Sequence, residues 1–160
     1  MHLSMNGDHG PYLQTGDYCG APQVIKMTKL LEQHKQLLLH SFPEIPPNGS
    51  LSRYSFVVVQ NVHYSERDAF VLSFSKGVPI LGQIVQIYRY QEKVVFLFAK
   101  LVTEKYESSL NAFKVNHIQE LGVTPVSCLA HHQKVPYIKS LNAHYVVITC
   151  KSFLSSLMRN

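Results

Sequence analysis

Features that would indicate a membrane or secreted protein are missing from this 160-residue chain. No apolar run approaches the roughly 20 residues that a membrane-spanning helix needs. The N-terminus, MHLSMNGDHG, lacks the charged start and apolar stretch of a signal peptide. The three cysteines, Cys19, Cys128 and Cys150, are widely spaced and odd in number, which fits reduced thiols better than a disulfide framework. We therefore expect an intracellular protein.

The motifs of common enzyme classes are also missing. The sequence has no Gly-x-Ser-x-Gly elbow, no Gly-x-Gly-x-x-Gly loop and no Walker loop. Its only aspartates are Asp8, Asp17 and Asp68, whereas a metal-dependent nuclease needs clustered carboxylates. The sequence therefore predicts a protein that is not an enzyme and has no cofactor.

Nine histidines raise the question of a metal site, but none has a zinc-ligand spacing combined with cysteine or carboxylate. The nearest approach is Cys128 with His131 and His132, which would need Cys150 or His144 as a fourth ligand. Surface-loop histidines beside a small buried thiol are the more favoured interpretation. We predict no metal.

The segment from Gly82 to Val102 predicts the centre of the fold. It reads as two long strands joined at a polar turn, Gln91-Glu92-Lys93. Its second arm, Val94–Ala99, is apolar without alternation, so we expect both faces to be covered. Gly82 precedes a strand, a place where glycine marks a bulge or a close approach of another backbone, and Gly82→Val should cost about 2–3 kcal/mol.

The rest of the chain predicts one helix and several short strands. We expect a mobile leader at 1–21, then a helix from Gln23 to His40 and a proline-rich connector within 22–49, a β domain at 50–152 and a tail at 153–160. Glu104–Asn111 is polar and predicts a loop. Further strands are predicted at Tyr54–Val59, Ala69–Phe74, Phe113–Val115, Thr124–Cys128, Val135–Ile138 and Tyr145–Ile148. The fold class is mainly β, a small barrel or sandwich with one N-terminal amphipathic helix.

Aromatic and basic side chains are the candidates for ligand contacts. Rings at a strand end can cage a methylated ammonium, although most rings in a small barrel belong to the core. The candidates for this role are Tyr54, Tyr64, Tyr88 and Tyr90. Fifteen basic and ten acidic residues give a net charge of +5 without a basic run, which argues only weakly for nucleic acid. Possible nucleic-acid contacts are Arg53, Arg67, Lys76, Arg89 and Lys93, provided that they share one face.

The order of four segments carries a resemblance to a known family. These are GQIVQIY (Gly82–Tyr88), VFLF (Val95–Phe98), VTPVSCL (Val123–Leu129) and YVVITC (Tyr145–Cys150). The chain resembles the C-terminal β domain of transposase-like proteins from mobile elements of fish and plants, which is similar to bromo-adjacent homology (BAH) domains. The Arg-Pro-Glu turn of chromatin-reading BAH domains is replaced here by Lys100–Glu104, so no ligand cage is carried over.

This resemblance implies a BAH-like or SH3-like barrel and a remnant or domesticated transposase accessory domain. On that basis we expect a non-enzymatic protein or chromatin interaction module, nuclear in location. The alternative is a weak, sequence-independent nucleic-acid-binding domain. The sequence does not identify the partner or the oligomeric state.

Overall fold

The computed structural model describes residues 18–130, 132–133 and 135–147. It contains one α-helix, α1 (Glu32–Ser41), and two 3-10 turns, Met27–Lys29 and Val126–Cys128. The strands in chain order are β1 (Tyr18–Cys19), β2 (Gln23–Lys26), β3 (Ser50–Tyr54), β4 (Phe56–Val59), β5 (Val62–Ser65), β6 (Ala69–Ser75), β7 (Val78–Tyr90), β8 (Lys93–Glu107), β9 (Ala112–Pro125), β10 (Tyr137–Lys139) and β11 (His144–Val147).

These strands form two antiparallel sheets. The larger has the order β10-β11-β9-β8-β7-β3-β2, with β6 also paired to β7, and the smaller has the order β1-β4-β5. The larger sheet curls into a half-barrel. Its open side is spanned by an isolated β-bridge between Ala69 at the start of β6 and Val135 just before β10. Thus the curled sheet encloses an interior along β6 to β11.

The β7–β8 hairpin lies at the centre of the larger sheet, and three apolar clusters cover its two faces. One face packs against the small sheet through the sandwich core, which we define as Cys19, Tyr54, Val57, Val59, Tyr64, Phe70, Ile84, Ile87, Phe96, Phe98, Val126 and Leu129. The other face is divided along its length. One end packs against α1 through the helix core, defined as Met27, Leu38, Phe42, Ile45, Leu51, Tyr88, Val95 and Leu97. The other end faces the half-barrel interior through the inner core, defined as Ala69, Val71, Leu81, Leu101, Phe113, Val115, Val135 and Val146.

The predicted fold class and the predicted central hairpin are confirmed. The chain is mainly β with one helix, arranged as a curled sheet and a second packed sheet. Within the continuous apolar arm, Val95 and Leu97 enter the helix core, whereas Phe96 and Phe98 enter the sandwich core. Both faces of this arm are therefore covered, as the missing alternation indicated.

The predicted helix from Gln23 to His40 is wrong in its first half. Gln23–Lys26 is strand β2, which pairs with β3, and the helix begins only at Glu32. Val24 and Ile25 are β-branched, so this segment pairs with a neighbouring strand at little conformational cost. In the first helical turn, Glu32 accepts a hydrogen bond from Gln36 Nε2 at 2.6 Å and lies 3.5 Å from Lys35 Nζ.

The predicted loop at Glu104–Asn111 is also wrong in most of its length. Strand β8 continues to Glu107, and the short strand predicted at Phe113–Val115 is the start of the 14-residue β9. This end of the hairpin is held by surface pairs, including Lys114 Nζ to Glu104 at 3.4 Å and the Tyr106 and Phe113 rings at 5.1 Å. Glu104, Lys105 and Tyr106 on β8 are exposed although β9 opposite them contributes Phe113 and Val115 to the inner core, so this part of β8 needs no apolar alternation and its polar sequence carries no strand signal.

At the other end of β9, the predicted strand Thr124–Cys128 divides at Pro125, after which Val126–Cys128 is a 3-10 turn. The predicted mobile leader at 1–21 is wrong at its end, because Tyr18–Cys19 is strand β1, paired with β4, and Cys19 is buried. Residues 1–17, the end of the last predicted strand at Ile148, and the tail lie outside the described residues. Among the described residues, no helix is long and apolar enough to span a membrane.

Candidate functional site

A layer of polar side chains lies at the interior end of the half-barrel. Directly opposed residues on antiparallel strands point to the same face of a sheet, so the strand register shows which side chains face inward. Four polar residues are each paired with a member of the inner core: Gln83 with Ala69, His117 with Leu101, Tyr137 with Val146, and His144 with Val115. We call Gln83, His117, Tyr137 and His144 the mouth. The mouth therefore rests on an apolar floor.

Hydrogen bonds fix the side chains of the mouth relative to one another. Gln83 Nε2 donates to the Arg67 carbonyl at 3.0 Å, which leaves Gln83 Oε1 to accept from His117 Nε2 at 2.7 Å. The Tyr137 hydroxyl lies 2.7 Å from His144 Nδ1 and 3.4 Å from His117 Nε2. Because His117 Nε2 is the donor to Gln83, it cannot accept from Tyr137. The Tyr137 hydroxyl can instead donate to His144 Nδ1 in the neutral tautomer that carries its proton on Nε2.

The electrostatics of the mouth favour a neutral imidazole at His117. Burial lowers the pKa of His117, and the nearby positive charges of His144 and Lys139 lower it further. The rings of His117 and His144 lie 5.3 Å apart and nearly perpendicular. Burial also raises the pKa of the Tyr137 hydroxyl, which keeps it a hydrogen-bond donor at neutral pH. Two imidazolium ions at this separation would repel each other, so the mouth resists double protonation.

A cleft of about 670 Å³ opens above the mouth. Its rim carries the cations Arg67 and Lys139, together with His63, and one carboxylate, Asp68. Asp68 Oδ2 accepts hydrogen bonds from the backbone N–H of Ser65 at 2.8 Å and from its hydroxyl at 3.1 Å. Thus basic and neutral hydrogen-bonding groups predominate around the cleft, and its carboxylate is already engaged.

The wall next to the β-bridge contributes Gln133 and Tyr64. Gln133 Nε2 is buried and has no acceptor among the described residues. The Tyr64 hydroxyl lies 3.3 Å from His132 Nδ1, and burial raises the pKa of Tyr64 to about 12. A buried amide donor without an acceptor is costly, and an acceptor group of a ligand in the adjacent cleft would remove that cost once the side chain turns toward it.

The four tyrosines predicted as ligand contacts are not brought together. Tyr54 and Tyr64 belong to the sandwich core, whereas Tyr88 belongs to the helix core and Tyr90 packs against it. Tyr54, Tyr64 and Tyr88 are buried, and Tyr90 is half-buried. The first pair therefore lies on the opposite side of the central hairpin from the second, and only Tyr64 reaches the cleft.

The five basic residues predicted as nucleic-acid contacts do not share one face either. Arg53 is paired with Tyr88, and Arg89 is paired with Ser52, so these two arginines point to opposite faces of the sheet. Lys93 lies on the face of Arg53, with Nζ 5.6 Å from the centre of the Phe42 ring. Arg67 lies at the cleft and Lys76 in the turn between β6 and β7.

Cys128 and its neighbouring histidines form no visible metal site. Cys128 is exposed, so the prediction of a buried thiol there is wrong. His132 contacts Tyr64, and His144 belongs to the mouth. In the part of the chain that the structure describes, no group of three or more His, Cys, Asp or Glu side chains could hold a metal ion. His131 and Cys150 lie outside that part.

Sequence reasoning did not identify the mouth. A usable signal was present at two positions, where a polar residue continues an inward-facing series two residues after an apolar one: Gln83 after Leu81 and His117 after Val115. Tyr137 and His144 lie on short strands that carry no such series. Their position became visible only through the pairing of β9, β11 and β10.

The chain matches no family model, no curated protein and no solved structure in comparisons of all three kinds. The resemblance to transposase-associated, BAH-like domains therefore stays a prediction.

Proposed function

We propose that this chain is a non-enzymatic interaction module that binds a segment of a partner protein at the cleft above the mouth. The observation that carries the proposal is the cleft itself, with hydrogen-bonding side chains fixed on strands over an apolar floor. Groups held on rigid strands bind with a smaller loss of side-chain entropy than groups on free loops. A cleft of this volume accommodates one or two side chains of a bound segment.

The partner class comes from the resemblance stated above. BAH-like domains of transposase-related proteins would place this module in the nucleus, on a chromatin protein, as a remnant or domesticated accessory domain. A chromatin protein is therefore the first class of partner to test.

The test is a peptide array of histone tails and other chromatin-protein segments, probed with the full chain and with two hydroxyl deletions. Tyr137→Phe removes the hydroxyl of the mouth but keeps the ring on the inner core. Tyr106→Phe is the matched control, because it removes an exposed hydroxyl that donates to Asn111 Oδ1 at 3.2 Å at the turn between β8 and β9, outside the lining of the cleft. We expect a set of peptides that the wild type and Tyr106→Phe bind and that Tyr137→Phe binds several-fold more weakly, as loss of one hydrogen bond of ~1 kcal/mol implies.

The proposal fails if no peptide binds above background, or if Tyr137→Phe binds every peptide as the wild type does. The nucleic-acid alternative stays a prediction and is tested alongside with labelled duplex DNA. It requires affinity that falls steeply with salt and is the same for unrelated sequences.

A further inference from the structure

We infer that the cleft recognises an oxyanion, and specifically the carboxylate of an acidic segment of the partner protein. This inference rests on the proposed function and names the chemistry of its ligand. Three features of the described residues carry it: the charge of the rim, one unpaired hydrogen-bond donor in the wall, and the way the mouth responds to a proton.

The rim presents positive charge without an internal partner. Arg67 and Lys139 are both exposed, and among the described residues neither forms an ion pair. The one carboxylate of the lining, Asp68, is turned to Ser65. Arg67 has a left-handed backbone conformation, φ 75°, and its main-chain N–H donates to Ile84 at 2.8 Å. Its main chain is thus tied to β7 through both Ile84 and Gln83, which holds this residue at the rim.

The wall of the cleft adds one hydrogen-bond donor that lacks an acceptor among the described residues. Gln133 Nε2 is buried beside the cleft with no acceptor among the described residues. The Gln83 amide cannot rotate to accept a hydrogen bond from Gln133, because both of its polar atoms already have partners. A carboxylate accepts several hydrogen bonds and carries the opposite charge to the rim, so it satisfies both requirements with one group.

Protonation of the mouth would strengthen this complementarity. In the tautomer with its proton on Nε2, a neutral His144 accepts the Tyr137 proton at Nδ1. Once His144 is protonated, that nitrogen becomes a donor, and the Tyr137 hydroxyl must turn to donate elsewhere. The open direction is the cleft. The other charged and titratable groups that line the cleft are His63, Tyr64, Arg67, Asp68, His117 and Lys139, and Asp68 is the one carboxylate among them. A bound carboxylate would offset their repulsion, so binding should take up a proton.

The experiment compares three short peptides of one length, in which serine alternates with Glu, Gln or Lys. Affinities are measured by calorimetry at about pH 6 and about pH 8, on either side of the histidine range. The Glu peptide should bind best and should bind more tightly at the lower pH. Arg67→Gln and Lys139→Gln should each weaken it by roughly fivefold, as expected for one exposed charge at close range. Lys29→Gln, an exposed lysine remote from the cleft, is the matched control and should leave affinity unchanged.

Sodium acetate and inorganic phosphate are titrated in parallel, with the His117 and His144 ring signals followed by NMR. If acetate raises the pKa of these histidines while no peptide or array spot binds, the oxyanion site stands and the proposed protein-binding function fails. If phosphate shifts the signals and acetate and the Glu peptide do not, the carboxylate assignment is overturned. Equal binding of the Gln or Lys peptide, sensitive to Tyr137→Phe, would preserve the function and overturn the oxyanion inference. Amide spectra of each variant confirm that it is folded.

Discussion

Phe98 offers a sharp test of how the sheets pack, because its ring lies against two glycines on neighbouring strands. A Cβ atom built on Gly122 would lie 2.7 Å from Phe98 Cζ, with Cε1 and Cε2 at 3.1 and 3.2 Å. A Cβ atom on Gly82 would lie 2.8 Å from Phe98 Cδ2 and 2.8 Å from Phe70 Cζ. Phe70 and Phe98 are buried and meet edge to face at 5.3 Å, so neither ring can move freely.

These distances set the expected cost of a single added methyl group. Overpacking in a filled core costs about 1–3 kcal/mol. Replacing glycine by alanine inside a strand recovers about 0.5–1 kcal/mol of chain entropy. We therefore expect Gly122→Ala to destabilise by about 1–2 kcal/mol. Gly82→Ala, which meets two rings, should cost about 2 kcal/mol, and Gly82→Val about 2–3 kcal/mol.

The crowding predicted at Gly82 thus comes from two aromatic rings and not from a crossing backbone. Backbone strain does not add to it, because the positive-φ glycine that the structure records is Gly77 and not Gly82.

The assay is a double-mutant cycle with Phe98→Leu, measured by urea unfolding. The three closest atoms to the added Cβ of Gly122→Ala all belong to Phe98, so the shorter leucine should remove most of that penalty. The coupling energy should be about 1–2 kcal/mol. Phe98→Leu should rescue Gly82→Ala only in part, because Phe70 remains in place. If Gly122→Ala costs the same in both backgrounds, the ring does not occupy the space we assign to it.

Two further predictions concern the interior of the half-barrel. Val115→Ala should lower the free energy of unfolding by about 2–3 kcal/mol, because Val115 is fully buried between β8 and β11. A valine on a peripheral strand would be expected to cost about 1–2 kcal/mol. The exposed Val102→Ala is the control in the same urea melts and should change stability by less than about 0.5 kcal/mol. The pKa of His117 is lower in the folded chain than in the unfolded chain, so below about pH 6.5 the unfolded chain binds more protons. The stability that comes from keeping His117 neutral is therefore fully present above that pH and is lost as the pH falls through the folded pKa. Urea midpoints across this range should fall less steeply for His117→Gln than for the wild type, and Lys139→Gln should raise the pKa of His117 in NMR titrations; equal slopes, or an unchanged pKa, would contradict this account.

The sequence predicted those elements whose own apolar pattern shows which of their faces are buried. The arm Val94–Ala99 is apolar at successive positions, so its two covered faces could be inferred without knowing what covers them. Glu104–Glu107 has no apolar pattern, because this part of β8 is held mainly by backbone pairing and surface contacts with β9. Val24 likewise fitted both a helical stripe and a strand, and the pairing with β3 decided between them.

The mouth was beyond such reasoning for a different reason. Its four residues come from β7, β9, β10 and β11, and they meet only because the sheet curls. The order of residues along any one strand does not specify how strongly the sheet curls. The opposite facing of Arg53 and Arg89 was hidden for another reason, since it depends on which residues of β3 and β7 are opposed.

The isolated bridge between Ala69 and Val135 has a consequence for how the molecule opens. The central hairpin is paired along β7, β8 and β9, whereas the closure of the half-barrel relies on this bridge and the nearby bond from Ala130 N to the Leu72 carbonyl at 3.3 Å. Local opening should therefore begin along this seam, and amides there should exchange with solvent well before those of Phe96 and Leu97. Arg67 and Lys139 lie on the two sides of the seam. A ligand bound by both side chains would bridge the two sides and stabilise the closed half-barrel. Its binding would then be measured as slower amide hydrogen exchange at Ala69 and Val135.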